Sequence, residues 1–400
     1  MSERSMSHIP PEVRPLLTRR RVLQTAGVGA AGLLAAACGA RPPGGGSAVP
    51  NPSRTDLSAK QKQLIWSNWP LYIDVDKAGR HQSIDDFTKK TGISVQYIED
   101  INDNAEFYAK MRPVLLNGQW IGRDIVVLTD WMASTWVKDG YVQPLQKNLI
   151  PNILNLQPVQ WASPFDPGRD FSLPWQSGYA GLGWNTAALK KATGKTSLKS
   201  LDELWDPRLR GKIILLSEMR DTVNLVLSYQ GANPSNFTDD EFNKAIAFLQ
   251  TQVSNGQIRA FQGNEYATAL QRGDAIAVIG WSGDLSQLGG GYGFALPESG
   301  GSLWTDNMMI PVLAHHAINA NEWMNFYYTP EIAAMVAVAV QYICPVLGAQ
   351  EIVAKTNPSL AENPLIFPTA KDLANTHVFM PLTPVKQAQY AAAWAKLTGA

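Results

Sequence analysis

The chain has 400 residues, 34 of them basic and 34 acidic. Residues 1–37 contain five arginines and two glutamates, so a chain that begins at Cys38 carries 29 basic and 32 acidic residues. This slightly acidic balance argues against a nucleic-acid partner, because nucleic-acid binding needs a surplus of basic side chains.

The first residues have the pattern of an export signal. Thr18 begins a twin-arginine run, TRRRVLQ, and an uncharged stretch leads through three alanines to Cys38. The uncharged stretch is shorter than the roughly 20 residues of a spanning helix. The segment resembles a bacterial lipoprotein signal of twin-arginine type, although Leu34 lies four places before the cysteine instead of three. We expect cleavage before Cys38 and lipid on Cys38; an uncleaved anchor helix and a secretory signal without lipid are the alternatives.

The segment that follows the signal, residues 38–60, is rich in Pro, Gly and Ser and is predicted to be a flexible tether. The rest of the chain exceeds the size that a single core usually reaches, so we expect two lobes. With Cys38 lipidated, Cys344 is the one cysteine left. No intrachain disulfide can then form, and we expect Cys344 to be a small buried hydrophobe.

Strand-like and helix-like segments alternate from Gln63 to Gly140, which predicts a βαβαβα unit. Gly92 and Gly140 are expected to end helices. Such alternation is typical of a parallel sheet with helices on its faces, and a second α/β block begins after Trp184. Ligands of these sheets bind beyond the carboxyl ends of the strands, where NWPLY and TDW are expected to lie. The nearly apolar stretch 332–349 is predicted to be a buried helix that runs into a strand.

The usual signatures of an exported enzyme are missing from the sequence. None of the five histidines has metal-ligand spacing, and there is no CxxC. GWSGD lacks the second glycine of a nucleophile elbow and is predicted to be a turn. GGGYG lacks the Lys-Ser/Thr pair of a phosphate loop and is predicted to be a loop. We therefore predict a protein that is not an enzyme and has no cofactor or metal.

Aromatic rings recur beside carboxylates at predicted strand ends and loops. Core packing is the ordinary role of tryptophan, and it accounts for Trp66, Trp184 and Trp205. A ring beside an acid also suits an organic cation, because each ring face attracts an ammonium by about 0.5 to 2 kcal/mol. Carboxylates then add charge-assisted hydrogen bonds. The pairs are Trp69 and Tyr72, Trp131 beside Asp130, Trp281 near Asp284, and Trp304 with Asp306.

Several motifs in a fixed order resemble those of the spermidine/putrescine-binding proteins of ABC importers. They are NWPLY, FTKKTGI, FDPGRDFSLPWQSGYAGLGWN, LDELWDPRLRGKI, RGDAIAVIGW and LWTDNMMIP. The resemblance covers nearly the whole body and implies an α/β, two-lobed periplasmic-binding-protein (type II) clamshell with its ligand cleft between the lobes. It implies these divisions: signal 1–37, tether 38–60, lobe 1 from 61–183 and 305–348, lobe 2 from 184–304 and 349–400.

The resemblance also implies a polyamine site. Glu218 and Asp221 match the two acids that hold one ammonium end, although alone they would suit a solvated helix start. Trp281, Trp304 and Asp306 match the central positions. The full set is Trp69, Tyr72, Thr129, Trp131, Glu218, Asp221, Trp281, Trp304, Asp306 and Tyr342.

Two departures from the family pattern affect selectivity. Leu71 stands where the family carries an acid, and the best match to a ligand-binding glutamine falls near Met380. A buried ammonium that lacks partners is costly, so a ligand with fewer nitrogens or another spacing stays open. The carboxylates of Glu218, Asp221 and Asp306 balance three positive charges, which favours spermidine over putrescine.

The sequence thus predicts an extracytoplasmic, monomeric lipoprotein, held by its lipid at the outer face of the cell membrane. It is expected to bind a polyamine and deliver it to an ABC permease. The alternatives are a binding protein for a betaine or an aminobutyrate-like amino acid derivative, an exported hydrolase with an unrecognised site, and a structural or adhesive lipoprotein.

Overall fold

The computed structural model describes residues 56–399. The predicted signal, the lipidation site at Cys38 and most of the predicted tether lie outside these residues. The strands are β1 Gln63–Asn68, β2 Ser94–Glu99, β3 Ile125–Thr129, β4 Ser172–Asn185, β5 Ile213–Leu216, β6 Ile258–Gln262, β7 Ala277–Trp281, β8 Tyr292–Ala295, β9 Gly301–Met309 and β10 Thr376–His377.

The helices cover the sheet and carry much of the site. They are α1 Gln82–Thr91, α2 Asn104–Leu116, α3 Asp130–Lys138, α4 Thr186–Thr193, α5 Met219–Tyr229, α6 Asp239–Ser254, α7 Glu265–Arg272, α8 Ser282–Gln287, α9 Ala317–Tyr327, α10 Pro330–Val340, α11 Ala349–Thr356, α12 Pro358–Ala361, α13 Ala370–Leu373 and α14 Pro384–Thr398. No helix within residues 56–399 combines the length and the hydropathy of a membrane span.

The strands form one mixed sheet in the order β2-β1-β3-β9-β4-β7-β5-β6, with β8 against β4 and β10 against β9. β1 pairs in parallel with β2 and β3, and β5 pairs in parallel with β6 and β7. The long strands β4 and β9 run antiparallel to each other and to their outer neighbours β7 and β3. The predicted parallel blocks are therefore confirmed, and an antiparallel pair joins them.

Most of the predicted ends of helices and strands are confirmed. α1 ends at Gly92, whose φ of 73° is the left-handed conformation that glycine adopts readily. The prediction for GWSGD is wrong, because β7 ends at Trp281 and α8 begins at the next residue. In the stretch 332–349 the helix forms, but the strand is reduced to isolated bridges at Ile343 and Val346. Cys344 is buried as expected, at 3% exposure.

An aromatic cluster at the centre of the core supports the loop after β1. Trp66, Trp175 and Trp323 are fully buried, and the ring centroid of Trp66 lies 5.1 Å from that of Trp175 and 4.9 Å from that of Trp323. The indole Nε1 of Trp175 donates a hydrogen bond of 3.1 Å to the Tyr72 carbonyl. Core packing therefore fixes the backbone at Tyr72, in the loop after β1.

Trp323→Ala is expected to lower the free energy of unfolding by about 3–5 kcal/mol, because it leaves a large cavity among close-packed rings. Denaturant unfolding monitored by far-ultraviolet circular dichroism measures this change. Val159→Ala is the control, since Val159 is 70% exposed. Equal stability of the two variants would contradict the assignment of Trp323 to the core.

Candidate functional site

A cavity of about 790 Å³ opens beyond the carboxyl ends of β1, β3, β5 and β7. All ten residues of the predicted site line it: Trp69, Tyr72, Thr129, Trp131, Glu218, Asp221, Trp281, Trp304, Asp306 and Tyr342. Strand ends bring most of these residues together, and β9 supplies Trp304 and Asp306 from the middle of the sheet.

Three rings of the cavity wall form a mutual contact group, which we call the aromatic box: Tyr72, Trp304 and Tyr342. The ring centroid of Tyr342 lies 5.1 Å from that of Tyr72 and 5.3 Å from that of Trp304, in edge-to-face arrangements. Trp69 and Trp281 form a second pair at 6.0 Å. In each of these pairs the edge of one ring packs against the face of the other.

Two glycines leave the space that the rings of the aromatic box occupy. A Cβ atom at Gly283 would lie 2.4 Å from the ring of Tyr342, and one at Gly178 would lie 2.5 Å from the ring of Trp304. Contacts this short do not occur between carbon atoms, so the rings hold their places only against bare backbone.

Among the acids that line the cavity, Asp306 is the one with a fully buried oxygen that lacks a hydrogen-bond partner in the described part of the chain. Its side chain is 4% exposed, and its Oδ1 has no hydrogen-bond partner among the described residues. Burial raises the pKa of Asp306 to about 7, and the neighbouring hydroxyls of Thr129 and Tyr72 offset part of this effect. The cavity therefore contains a buried acceptor that is ready for a donor.

The two acids at the start of α5, Glu218 just before it and Asp221 in its first turn, already have partners. Asp221 accepts hydrogen bonds of 2.9 Å from Trp281 Nε1 and Ser302 Oγ, and burial raises its pKa to about 6. Glu218 precedes α5, where its Oε1 accepts from the backbone N–H of Arg220 at 3.3 Å. Its Oε2 accepts from Asn104 Nδ2 at 3.3 Å. Burial, followed by the charge of Asp103, raises the pKa of Glu218.

Asp284 positions the box and was not among the predicted site residues. Its Oδ1 accepts a hydrogen bond of 2.6 Å from the Tyr342 hydroxyl, and its Oδ2 accepts bonds of 3.0 Å from Tyr266 and Asn264. The sequence did carry a signal here, because Asp284 lies three residues after Trp281. What it could not show is that this carboxylate is satisfied by protein groups.

Arg220 is the second residue that the prediction missed. It lines the cavity, is 8% exposed, and its guanidinium carbon lies 3.6 Å from the ring centroid of Trp131. Burial lowers its pKa to about 10, although the charges of Glu218 and Asp221 oppose that shift. The available signal was its position in LSEMRD, between the two predicted acids.

The two departures from the family pattern fall in different places. Leu71 is 47% exposed and lies outside the cavity wall, and its N–H donates a 3.0 Å bond to Glu99 Oε1. Met380 does line the cavity. No cluster of His, Cys, Asp or Glu suited to a metal ion occurs in the part of the chain that is described.

Comparison with known proteins identifies the family. Residues 82–368 match the sequence profile described as bacterial extracellular solute-binding protein. The chain belongs to this family. Membership places its work outside the cytoplasm and points to a binding protein and not to an enzyme.

Relatives of the family confirm the resemblance and the fold. The spermidine/putrescine-binding periplasmic protein of Escherichia coli K12 is 27% identical over 315 residues, which are 78% of this chain and 85% of the relative. The putrescine-binding periplasmic protein PotF of the same organism is 27% identical over 331 residues, with coverage of 78% and 85%. A putative spermidine/putrescine ABC transporter from Listeria monocytogenes superposes with a TM-score of 0.73 at 24% identity, covering 84% of this chain and 99% of that structure. The fold is the type II periplasmic-binding-protein fold.

Gly283→Ala is expected to displace the Tyr342 ring and to lower the free energy of unfolding by about 1–3 kcal/mol through overpacking. Near-ultraviolet circular dichroism reports the ring environment, and denaturant unfolding reports the stability. Gly290→Ala is the matched control, because a Cβ atom there meets nothing within 4 Å. If both variants matched the wild type, the close contact with Tyr342 would be refuted.

Without ligand, Asp306→Asn is expected to gain free energy of unfolding relative to the wild type as the pH rises from 5 to 8. The folded pKa, about 7, lies above the usual 3.8, so the stability that the protonated group provides is lost as pH rises through 7. An asparagine does not titrate, so the advantage of the variant should grow by about 2–3 kcal/mol between pH 5 and pH 8.

Denaturant unfolding of both proteins at the two pH values measures this difference. Asp240→Asn, at an exposed position, is the control and should show no such growth. A constant stability difference between Asp306→Asn and the wild type would mean that Asp306 is ionised and solvated.

Proposed function

We propose that the protein binds a polyamine outside the cytoplasm and delivers it to an ABC permease. The observation that carries this proposal is the free, buried oxygen of Asp306 beside the aromatic box. A buried carboxylate oxygen with no internal partner is costly, and a ligand ammonium removes that cost by donating a charge-assisted hydrogen bond.

The rings around Asp306 suit the remainder of a polyamine. Ring faces attract ammonium groups, and the apolar bodies of the rings cover the methylene groups between them. An ammonium at Asp306 also favours the ionised carboxylate and lowers its pKa from about 7. Binding therefore releases protons near neutral pH, and affinity rises as the pH increases from 5 to 8.

The identity of the polyamine depends on charge. There are three carboxylates, those of Glu218, Asp221 and Asp306, and they balance three positive charges. This number favours spermidine over putrescine. The names of the two E. coli relatives, one for spermidine and putrescine and one for putrescine, support both ligands.

We further propose that lipid on Cys38, added after export through the twin-arginine signal, holds a monomeric protein near its permease. The flexible tether 38–60 lets the folded body move away from the membrane surface while it stays attached. The ligand enters between two lobes with the boundaries inferred from the sequence.

Asp306→Asn is expected to weaken polyamine binding by at least about thirtyfold, because it removes one partner of a buried charge pair while keeping its shape. Isothermal titration calorimetry of the mature protein with spermidine, putrescine, spermine and betaine measures the effect and the ligand preference. Asp240→Asn, at an exposed position outside the cavity wall, is the control and should bind as the wild type does.

Tryptophan emission gives a second readout, since Trp69, Trp281 and Trp304 line the cavity and should respond to a bound polyamine. Unchanged affinity in Asp306→Asn, or no heat and no emission change with any amine of the panel, would refute the proposed function.

A further inference from the structure

The guanidinium of Arg220 is buried against aromatic rings. It lies 3.6 Å from the ring centroid of Trp131 and 5.7 Å from that of Phe379. Its Nη2 donates to Gln387 Oε1. Among the described residues no carboxylate forms a salt bridge with it, and its other side-chain nitrogens donate no hydrogen bond within the chain.

The face of Trp131 that packs against Arg220 is thereby closed to a ligand ammonium. Trp131 was predicted to be one of the rings that attract a cation, but an internal cation already lies over it. A second positive charge brought to this place would be repelled by the guanidinium. The Trp131 end of the cavity is therefore unsuited to a ligand amine.

The acids near this end are engaged. Glu218 accepts hydrogen bonds from the Arg220 backbone and from Asn104, and Asp139 accepts a 2.7 Å hydrogen bond from Tyr108. Asp221 is bound by Trp281 and Ser302. Both oxygens of Glu218 and of Asp221 thus have partners, whereas Arg220 donates only from Nη2, to Gln387.

Two more cations line the same cavity. Lys138 lies on α3, the helix of Trp131, and Arg112 lies on α2; both are exposed. The charges of Glu218 and Asp221 act on Arg220, although neither acid forms a salt bridge with it. The cavity is thus polarised, with a free acceptor at Asp306 and free donors on Arg220.

We propose that the ligand is an amine chain that ends in a carboxylate, with its ammonium on Asp306 and its carboxylate on the edge of the Arg220 guanidinium. A guanidinium that packs against a ring keeps its edge for a ligand, and that edge pairs with the two oxygens of a carboxylate in one plane. This inference rests on the proposed function, because it keeps the amine at Asp306 and specifies the other end.

A matched pair of ligands tests the proposal. Spermidine and N-(4-aminobutyl)-β-alanine share the aminobutyl-amine chain, and they differ in whether the last group is an ammonium or a carboxylate. Calorimetry with the wild-type mature protein should show that the carboxylated ligand binds more tightly by about tenfold or more. Spermidine binding as tightly or more tightly would overturn the inference.

Variants of Arg220 assign the preference to this side chain. Arg220→Gln should abolish the preference for the carboxylated ligand over spermidine, and Arg220→Lys should keep part of it, because the charge stays but the fork is lost. Arg272→Gln, at an exposed position outside the cavity wall, should behave as the wild type. A preference that survives in Arg220→Gln would also overturn the inference.

The outcomes separate the two proposals. If spermidine binds through Asp306 but the carboxylated ligand gains nothing, Arg220 merely offsets the charge of Glu218 and only this inference fails. If neither ligand binds the wild-type protein, the proposed function fails and the inference fails with it.

Discussion

The cost of burying a carboxylate governs this structure more than any single packing contact. Asp306 lies on β9, where its backbone is paired with Thr129 of β3 on one side and with Gln176 of β4 on the other. Paired strands on both sides prevent the side chain from moving out to solvent. Its unpartnered oxygen is therefore maintained by the sheet itself, and a ligand can relieve that cost where the protein does not.

The other acids of the cavity show what a satisfied carboxylate does instead. Asp284 accepts hydrogen bonds from Tyr342, Tyr266 and Asn264, so its charge orients a ring of the aromatic box. Asp221 accepts from Trp281 and thereby fixes that indole. The acids of this cavity therefore have two different roles. Asp284 and Asp221 hold rings of the cavity wall in place, whereas Asp306 can accept a hydrogen bond from a ligand.

Arg220 changes how the charge of the cavity is to be counted. A count of acids alone suggests a ligand with only positive groups. The guanidinium over Trp131 adds a buried positive charge, and among the described residues only its Nη2 donates a hydrogen bond, to Gln387. A cavity with a free acceptor and a free donor group complements a ligand of both charges, and buried charge complementarity of this kind acts mainly on selectivity.

The sequence by itself determined the alternating α/β pattern and the helix end at Gly92, and its resemblance to a known family gave the set of rings and acids that line the cavity. The pattern follows from local rules: periodicity reports burial, and the carboxyl ends of parallel strands converge on one edge of a sheet. Only the tertiary structure decided which acid is left without a partner and where the Arg220 guanidinium lies. The partners that settle these questions, such as Ser302 for Asp221 and Gln387 for Arg220, come from distant segments, and no local pattern encodes how such segments approach each other.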